Sequence, residues 1–250
     1  MNLIKNILGR IFAAWALLTF VITMLIILLP TWIMGLHPEP KRTRLFIALS
    51  RIWMAVWLPL AGIRLVIKGK EKFKKGENYV VVCNHNSFMD VPVTSPGIPG
   101  ANKTIAKIEM AKIPLFGLIY RRGSVLVDRK SEDSRLKSYA YMRKVLDMGL
   151  HMCIYPEGTR NKTNQPLKEF KDGAFRLAIE ANKAVVPAVL FNTKKVLPLH
   201  KTFYFWPSKI EMHFLEPVET TGMQMNDVKQ LKEKVFGLMW NYIEQNKPVK

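Results

Sequence analysis

The sequence predicts an α/β fold, a largely parallel central sheet with flanking helices, preceded by an N-terminal hydrophobic two-helix membrane segment. Three observations carry this prediction. The first 63 residues hold two long apolar stretches; from Arg64 onward short apolar runs alternate with longer amphipathic ones; and most of the short runs are apolar throughout. Continuous apolar runs mark strands buried on both faces, and their alternation with helices marks a parallel sheet covered on both sides. The chain divides on this reading into membrane-associated helices, residues 1–63, and an α/β domain, residues 64–250.

The first element is a run of 26 residues, Ile11 to Leu36, without Asp, Glu, Lys or Arg. Its part before Pro30 is 19 residues long, close to the ~20 that cross a hydrocarbon core as a helix. A cleaved signal peptide would have a shorter apolar region ending in small residues. This run continues into Pro30-Thr31-Trp32 and reads as a retained segment. The second stretch, Leu45 to Ile63, is interrupted only by Arg51 and carries Trp53 and Trp57, residues suited to the headgroup level. Residues 37–70 hold seven basic residues against Glu39 alone, and residues 1–10 hold Lys5 and Arg10 with no acid. Both flanks of the first segment are basic, so the positive-inside rule selects no orientation. Two geometries fit: a helix pair dipping into or lying on one leaflet, or a single span followed by a core helix of the domain.

Strands are expected at Leu65–Ile67, Tyr79–Cys83, Ser124–Val127, Met152–Tyr155 and Val185–Leu190. Helical patterns fall between them at Glu109–Tyr120, Ser131–Gly149 and Gly173–Ala181. Phe203–Leu215 reads as added edge strands, and Gln224–Gln245 as a closing amphipathic helix.

An apolar fraction of 49% with 23% charged residues excludes a disordered chain. Two cysteines, Cys83 and Cys153, exclude a disulfide scaffold and a four-cysteine zinc site. The net charge of +19 calls for an anionic partner. Nucleic acid is disfavoured, because no helix or strand pattern joins a basic face to exposed aromatics. The sequence also lacks a G-x-S-x-G elbow, H-E-x-x-H, C-x-x-C, a Walker loop and G-x-G-x-x-G. Its five histidines have no metal-ligand spacing, so no metal is expected.

Three polar stretches follow predicted strands, at the edge where open α/β sheets bind ligands. The first is Asn84-His85-Asn86-Ser87-Phe88-Met89-Asp90. On one helix His85 and Asp90 would stand about 140° apart, given ~100° per residue. A turn at Asn86-Ser87 would let them meet. An Asp bonded to one imidazole nitrogen leaves the other as a general base. The same residues also read as a helix cap, with His85 incidental. The second stretch, Gly123 to Arg129, ends in an arginine; the third is Tyr155-Pro156-Glu157-Gly158-Thr159-Arg160. Arginine binds phosphate oxygens in planar bidentate fashion, and convergence of both on one sheet edge favours a site over solvated strand ends. Lys194, Lys195 and Lys201 read as a solvated or lipid-facing surface, and both cysteines as buried small hydrophobes.

With Asn84-His85-x-Ser87-x-x-Asp90, Gly123 through Arg129, Glu157-Gly158-Thr159-Arg160 and Val186-Pro187 in this order, the chain resembles the glycerolipid acyltransferase family, and within it the 1-acyl-sn-glycerol-3-phosphate acyltransferases of the PlsC type. Ala106-Lys107-x-Glu109 and Phe170-Lys171-x-Gly173 resemble segments between those blocks. The likeness covers about residues 64–215; its second and fourth blocks match more loosely than the third. The resemblance implies that His85 takes a proton from a glycerol hydroxyl attacking an acyl thioester, with Asp90 orienting it. It implies that Arg129, Arg160 and Lys107 hold the acceptor phosphate in a pocket shaped by Glu157, Gly158, Thr159 and Pro187. It implies no cofactor, only acyl-CoA or acyl carrier protein as co-substrate, lysophosphatidic acid as acceptor and phosphatidic acid as product. Anionic membrane lipid is the remaining expected partner, with the enzyme membrane-bound and its active site at the cytoplasmic membrane surface. The alternatives are another lyso-acceptor, such as glycerol 3-phosphate or a lyso-aminolipid, and a basic membrane-binding protein without catalysis. The complete His85/Asp90 pair argues against the last.

Overall fold

The computed structural model describes residues 2–246. Helix α1 (Asn2–Met34) and helix α2 (Lys41–Leu60) are each long and apolar enough to cross a membrane by length and composition. They pack on each other and on the domain that follows. Ala13, Ala16, Met24, Ile27 and Thr31 form a buried stripe at helical spacing along α1. The opposite side of the same helix exposes Ile11, Trp15, Leu18, Ile22, Leu25, Leu29 and Trp32. Trp53 and Trp57 do not stand at a headgroup level, as the sequence reading expected. Both are buried, with indole N–H groups donating to Thr23 Oγ1 (2.9 Å) and Ala16 O (3.2 Å) of α1. The exposed indoles are Trp15 and Trp32, at 50% and 57%.

The domain is built on strands β1 (Arg64–Lys68), β2 (Val80–Cys83), β3 (Asn102–Lys107), β4 (Ser124–Val127), β5 (His151–Ile154), β6 (Val185–Phe191) and β7 (Lys209–Phe214). Their order across the sheet is β1-β7-β6-β2-β5-β3-β4, and every pairing is parallel except β6 with β7. The helices are α3 (Asp90–Gly97), α4 (Phe116–Gly123), α5 (Glu132–Asp147), α6 (Gly173–Glu180), the single turn α7 (Thr193–Val196) and α8 (Val228–Gln245). Side-chain alternation along the central strands feeds two separate cores. Val81, Cys83 and Cys153 join α1, α2 and α3 on one face, while Val80, Val82, Met152 and Ile154 join α5, α6 and α8 on the other.

The sequence reading missed β3, whose Asn102, Lys103 and Thr104 are buried yet polar. The expected helix Glu109–Tyr120 divides at Pro114 into a 3-10 turn, Ile108–Lys112, and α4, since proline supplies no N–H to continue a helix. The segment Phe203–Leu215 yields one strand, β7, which lies inside the sheet between β1 and β6 and not at its edge.

His151, at the start of β5, is buried, and its Nδ1 accepts from Tyr79 N at 3.1 Å. Burial holds its pKa down at about 4, against an ordinary 6.5. Between those values the unfolded chain takes a proton that the folded state refuses. Stability is therefore full above the ordinary value and falls as pH drops toward about 4. Denaturant melts over this window should lose about 1.4 kcal/mol per pH unit from this residue. His151→Asn, which keeps an acceptor without titrating, should flatten that slope; an unchanged slope would assign the acid sensitivity elsewhere.

Candidate active site

The carboxyl ends of β2, β4, β5 and β6 meet at one edge of the sheet. Asn84, just past β2, fastens that edge: its Nδ2 donates to Leu190 O (3.0 Å) and its Oδ1 accepts from Leu190 N (2.7 Å) of β6. The chain then turns, as Asn86-Ser87 predicted, and brings His85 onto Asp90, the first residue of α3. His85 Nδ1 lies 2.7 Å from Asp90 Oδ2, which also accepts from Asn86 N (2.6 Å) and Ser87 N (2.8 Å). Asp90 is fully buried, and its other oxygen, Oδ1, has no hydrogen-bond partner among the described residues. All of the carboxylate's anchoring thus converges on Oδ2. With Nδ1 donating to a carboxylate, the tautomer leaves a lone pair on Nε2, and the side chain is 20% exposed.

The residues 155–160 close around this pair. The Tyr155 ring stacks on His85 with centroids 4.3 Å apart. The Tyr155 hydroxyl donates to Thr94 Oγ1 (2.6 Å), whose own proton goes to Asp90 O (2.9 Å). Glu157 is buried at 2% exposure and bridges two backbones, accepting from His85 N (2.7 Å) and Lys168 N (3.0 Å). Burial raises the Glu157 pKa, opposed by those two N–H donors. Gly158 sits at φ +70°, a conformation that glycine adopts without strain, and its carbonyl accepts from Arg129 Nη1. Thr159 Oγ1 accepts from Lys168 Nζ at 2.6 Å. The Arg160 guanidinium lies 3.6 Å over the Phe88 ring centroid, an aromatic–cation contact that leaves its edge donors free.

The structure thus brings His85, Asp90, Arg129, Glu157, Gly158, Thr159 and Arg160 into one neighbourhood. Lys107 ends β3 on the same sheet edge and is exposed, with no hydrogen bond to the others among the described residues. Tyr155 was read only as a strand end, although an aromatic directly before Pro156 was visible. Lys194 was read as solvated surface; on α7 it is half-buried, its Nζ donating to Thr163 O at 3.0 Å. Burial lowers its pKa while the charges of Glu157 and Asp90 pull it back up. The loop it contacts is fixed beside the dyad, because Asn161 N donates to His85 O at 2.6 Å. Lysine spacing alone carries no sign of that contact.

Behind Phe88 and Met89 opens a cavity of ≈ 380 Å³ between α1, α2, α3 and α4. Phe20, Trp53 and Phe116 line it, and its wall is largely apolar. The site therefore joins a carboxylate-bonded imidazole to an apolar cavity through Phe88 and Met89, with guanidinium groups beside it.

A family model described as Acyltransferase matches residues 64–191. The chain is 32% identical over 178 residues to 1-acyl-sn-glycerol-3-phosphate acyltransferase alpha of Bos taurus, covering 70% of this chain and 61% of that protein. It is 25% identical over 190 residues to the 1-acyl-sn-glycerol-3-phosphate acyltransferase of Haemophilus influenzae, covering 75% and 77% of the two. The match thus spans about three fifths of the length of the mammalian relative. In fold the chain is similar to the crystal structure of the 1-acyl-sn-glycerophosphate acyltransferase PlsC of Thermotoga maritima, with a TM-score of 0.79 at 22% identity over 100% of this chain and 99% of that one.

Proposed function

The chain belongs to the acyltransferase family, and on that premise we propose that it moves a fatty acyl chain from a thioester to the free hydroxyl of 1-acyl-sn-glycerol 3-phosphate, giving phosphatidic acid. One observation carries the reading: the His85–Asp90 pair, joined at 2.7 Å, flanks Phe88 and Met89, which line the apolar cavity, and Arg160 lies on that Phe88 ring. An amphiphile with a phosphate head and a hydrocarbon tail matches this order of groups.

In the proposed reaction His85 Nε2 takes the hydroxyl proton as the acceptor oxygen attacks the thioester carbonyl. Asp90 holds Nδ1–H and stabilises the imidazolium. Collapse of the tetrahedral adduct breaks the carbon–sulfur bond, and His85 returns the proton to the departing thiolate. Arg129 and Arg160, with Lys107 and Lys194 at the rim, hold the acceptor phosphate. The donor is acyl-CoA or acyl carrier protein; the thioester carries its own activation and no cofactor takes part. Purified protein in detergent, given labelled donor and a panel of lysophosphatidic acid, glycerol 3-phosphate and lysophosphatidylcholine, should label phosphatidic acid. Preferred labelling of either other product would refute the acceptor assignment.

A covalent acyl-cysteine is disfavoured. Cys83 is fully buried with its Sγ 3.9 Å from Cys153 Sγ, and burial pushes its pKa well up, leaving little nucleophilic thiolate. Cys83→Ala should keep activity within a few-fold, with intersecting initial-rate plots; a hydroxylamine-sensitive acyl-protein that turns over on adding acceptor would overturn this.

The outward face of α1 supports attachment to a membrane, with residues 1–63 as the proposed docking segment and the cytoplasmic surface as the proposed side. The packing of the inner face of α1 on α2 and the domain from Ala13 to Thr31 favours a helix that lies on or dips into one leaflet over one that spans the bilayer. Ile22 and Ile26 are 49% and 69% exposed, and burying the exposed part of each in lipid is worth roughly 1–2 kcal/mol. Ile22→Glu with Ile26→Glu should lower vesicle binding at least about tenfold with the detergent melting curve unchanged. Undiminished binding would remove α1 from the contact.

A further inference from the structure

At the turn between α1 and α2 cations outnumber carboxylates. One oxygen of Glu39 accepts from Arg42 Nε (3.0 Å) and Nη2 (2.9 Å), and the other from Thr43 N (3.2 Å) and Oγ1 (2.7 Å). Lys103, only 2% exposed, reaches the same carboxylate at 3.3 Å and donates to Arg122 O at 2.7 Å. Arg122 itself is packed over Gly35 so closely that a Cβ there would lie 1.9 Å from its Nη2. Its guanidinium makes no hydrogen bond or ion pair among the described residues, and its Nε is buried without a partner. Burial lowers the pKa of both Lys103 and Arg122, repulsion from Arg42 adds to it, and Glu39 pulls both the other way. Three cations stand around one carboxylate, and of the three only Arg122 makes no hydrogen bond or ion pair to it among the described residues.

On its α1 side the cluster is bordered by an apolar surface. Trp32, Ile33 and Leu36 are 57%, 47% and 73% exposed at the end of the α1 outer face, and indole rings favour the headgroup level of a bilayer. Resting on the reading of that face as membrane-bound, the geometry points to a binding site for the phosphate of an anionic phospholipid headgroup, formed by Arg122, Arg42 and Lys103 at the α1–α2 turn. A guanidinium fork matches two phosphate oxygens in one plane, and the surplus positive charge selects an anionic over a zwitterionic headgroup. An acidic carrier protein is the less fitting occupant. Lys103 and Arg122 stand by the amino ends of the parallel strands β3 and β4, whereas His85 follows the carboxyl end of β2. A carrier docked at Arg122 would present its thioester on the opposite edge of the sheet.

The test uses the full chain and vesicles of phosphatidylcholine, with or without phosphatidylglycerol, with the bound fraction read by flotation. Arg122→Gln should weaken binding to the anionic vesicles about tenfold or more and leave binding to neutral vesicles as it was. Arg44→Gln removes an equal charge from an exposed position on α2 and should weaken anionic binding about fivefold at most, the contribution of one diffuse surface charge. Equal losses in the two variants would mean diffuse attraction and end the proposal. Gly35→Ala keeps every charge but displaces the guanidinium, so it should reproduce the Arg122→Gln loss even if that variant fails to fold; unaltered anionic binding would count against the site. Release from anionic vesicles by millimolar inorganic phosphate at constant ionic strength would reassign the site to the free ion. Loss of carrier-protein binding in Arg122→Gln with vesicle binding intact would reassign it to the donor. Absence of wild-type binding to either vesicle would sink the membrane reading on which the site rests.

Discussion

His85→Ala is expected to lower kcat at least about 10²-fold, and as far as about 10⁴-fold, with little change in either Michaelis constant. The expectation follows from how little else at the site could accept a proton. Glu157 has both carboxylate oxygens committed to backbone N–H groups of His85 and Lys168. Asp90 is fully buried behind the imidazole. Asp90→Asn keeps the shape but offers an amide that can donate to Nδ1, favouring the tautomer with its proton on the reactive side; it should lose a similar factor. It also removes an acceptor from Asn86 N and Ser87 N, so its melting curve belongs beside its kinetics. A His85→Ala variant that turns over within a few-fold of wild type would dismiss the general-base assignment. The parallel control is Tyr155→Phe, which keeps the ring on His85 and loses only the bond to Thr94; it should fall far less.

The second large effect is expected at Arg160. Its guanidinium lies on Phe88, half-buried and free of any carboxylate among the described residues, as a group awaiting an anion would be. A hydrogen bond to a charged group is worth about 1.5–3 kcal/mol, so Arg160→Ala should cost roughly 10- to 100-fold in kcat/KM for the phosphorylated acceptor. Arg160→Lys keeps the charge and loses the planar fork, and should fall between. The donor Michaelis constant should hardly move. A defect confined to the donor would place Arg160 on the carrier side of the reaction.

Much of this architecture is legible in the amino-acid order because apolar runs report burial directly. Strands β2, β5 and β6 are apolar along nearly their whole length and were placed within a residue or two. Strand β3 was illegible for the opposite reason. Two of its buried polar side chains find their partners outside the strand: Asn102 Nδ2 donates to Ser95 O, and Lys103 Nζ to Arg122 O. Trp53 and Trp57 misled for a related cause, since an indole ring is equally at home at a bilayer surface or in a core that offers its N–H an acceptor. At the site, local chemistry allowed a turn between His85 and Asp90 but equally a helix cap, and the resemblance to the acyltransferase blocks decided for the pair. The placements of Tyr155 on the imidazole and of Lys194 at Thr163 depend on α3, α7 and the 161–165 loop arriving together, which no local pattern encodes.

The docking of α1 along the domain also bears on how the chain is made. Phe205 N donates to Gly9 O at 3.0 Å, and the Tyr204 ring covers Gly9 so closely that a Cβ there would lie 2.1 Å from it. These contacts join α1 to residues that follow six of the seven strands, and a closure that long is slow and entropically expensive. During synthesis α1 leaves the ribosome long before residues 204 and 205 exist, with the apolar residues of its inner stripe still uncovered beside a more apolar outer face. A bilayer can shelter both faces through that interval, where bulk water would expose them to aggregation. The membrane would then serve as a folding partner before it serves as a workplace, and refolding from denaturant should recover more active protein when vesicles are present from the start than when they are added at the end.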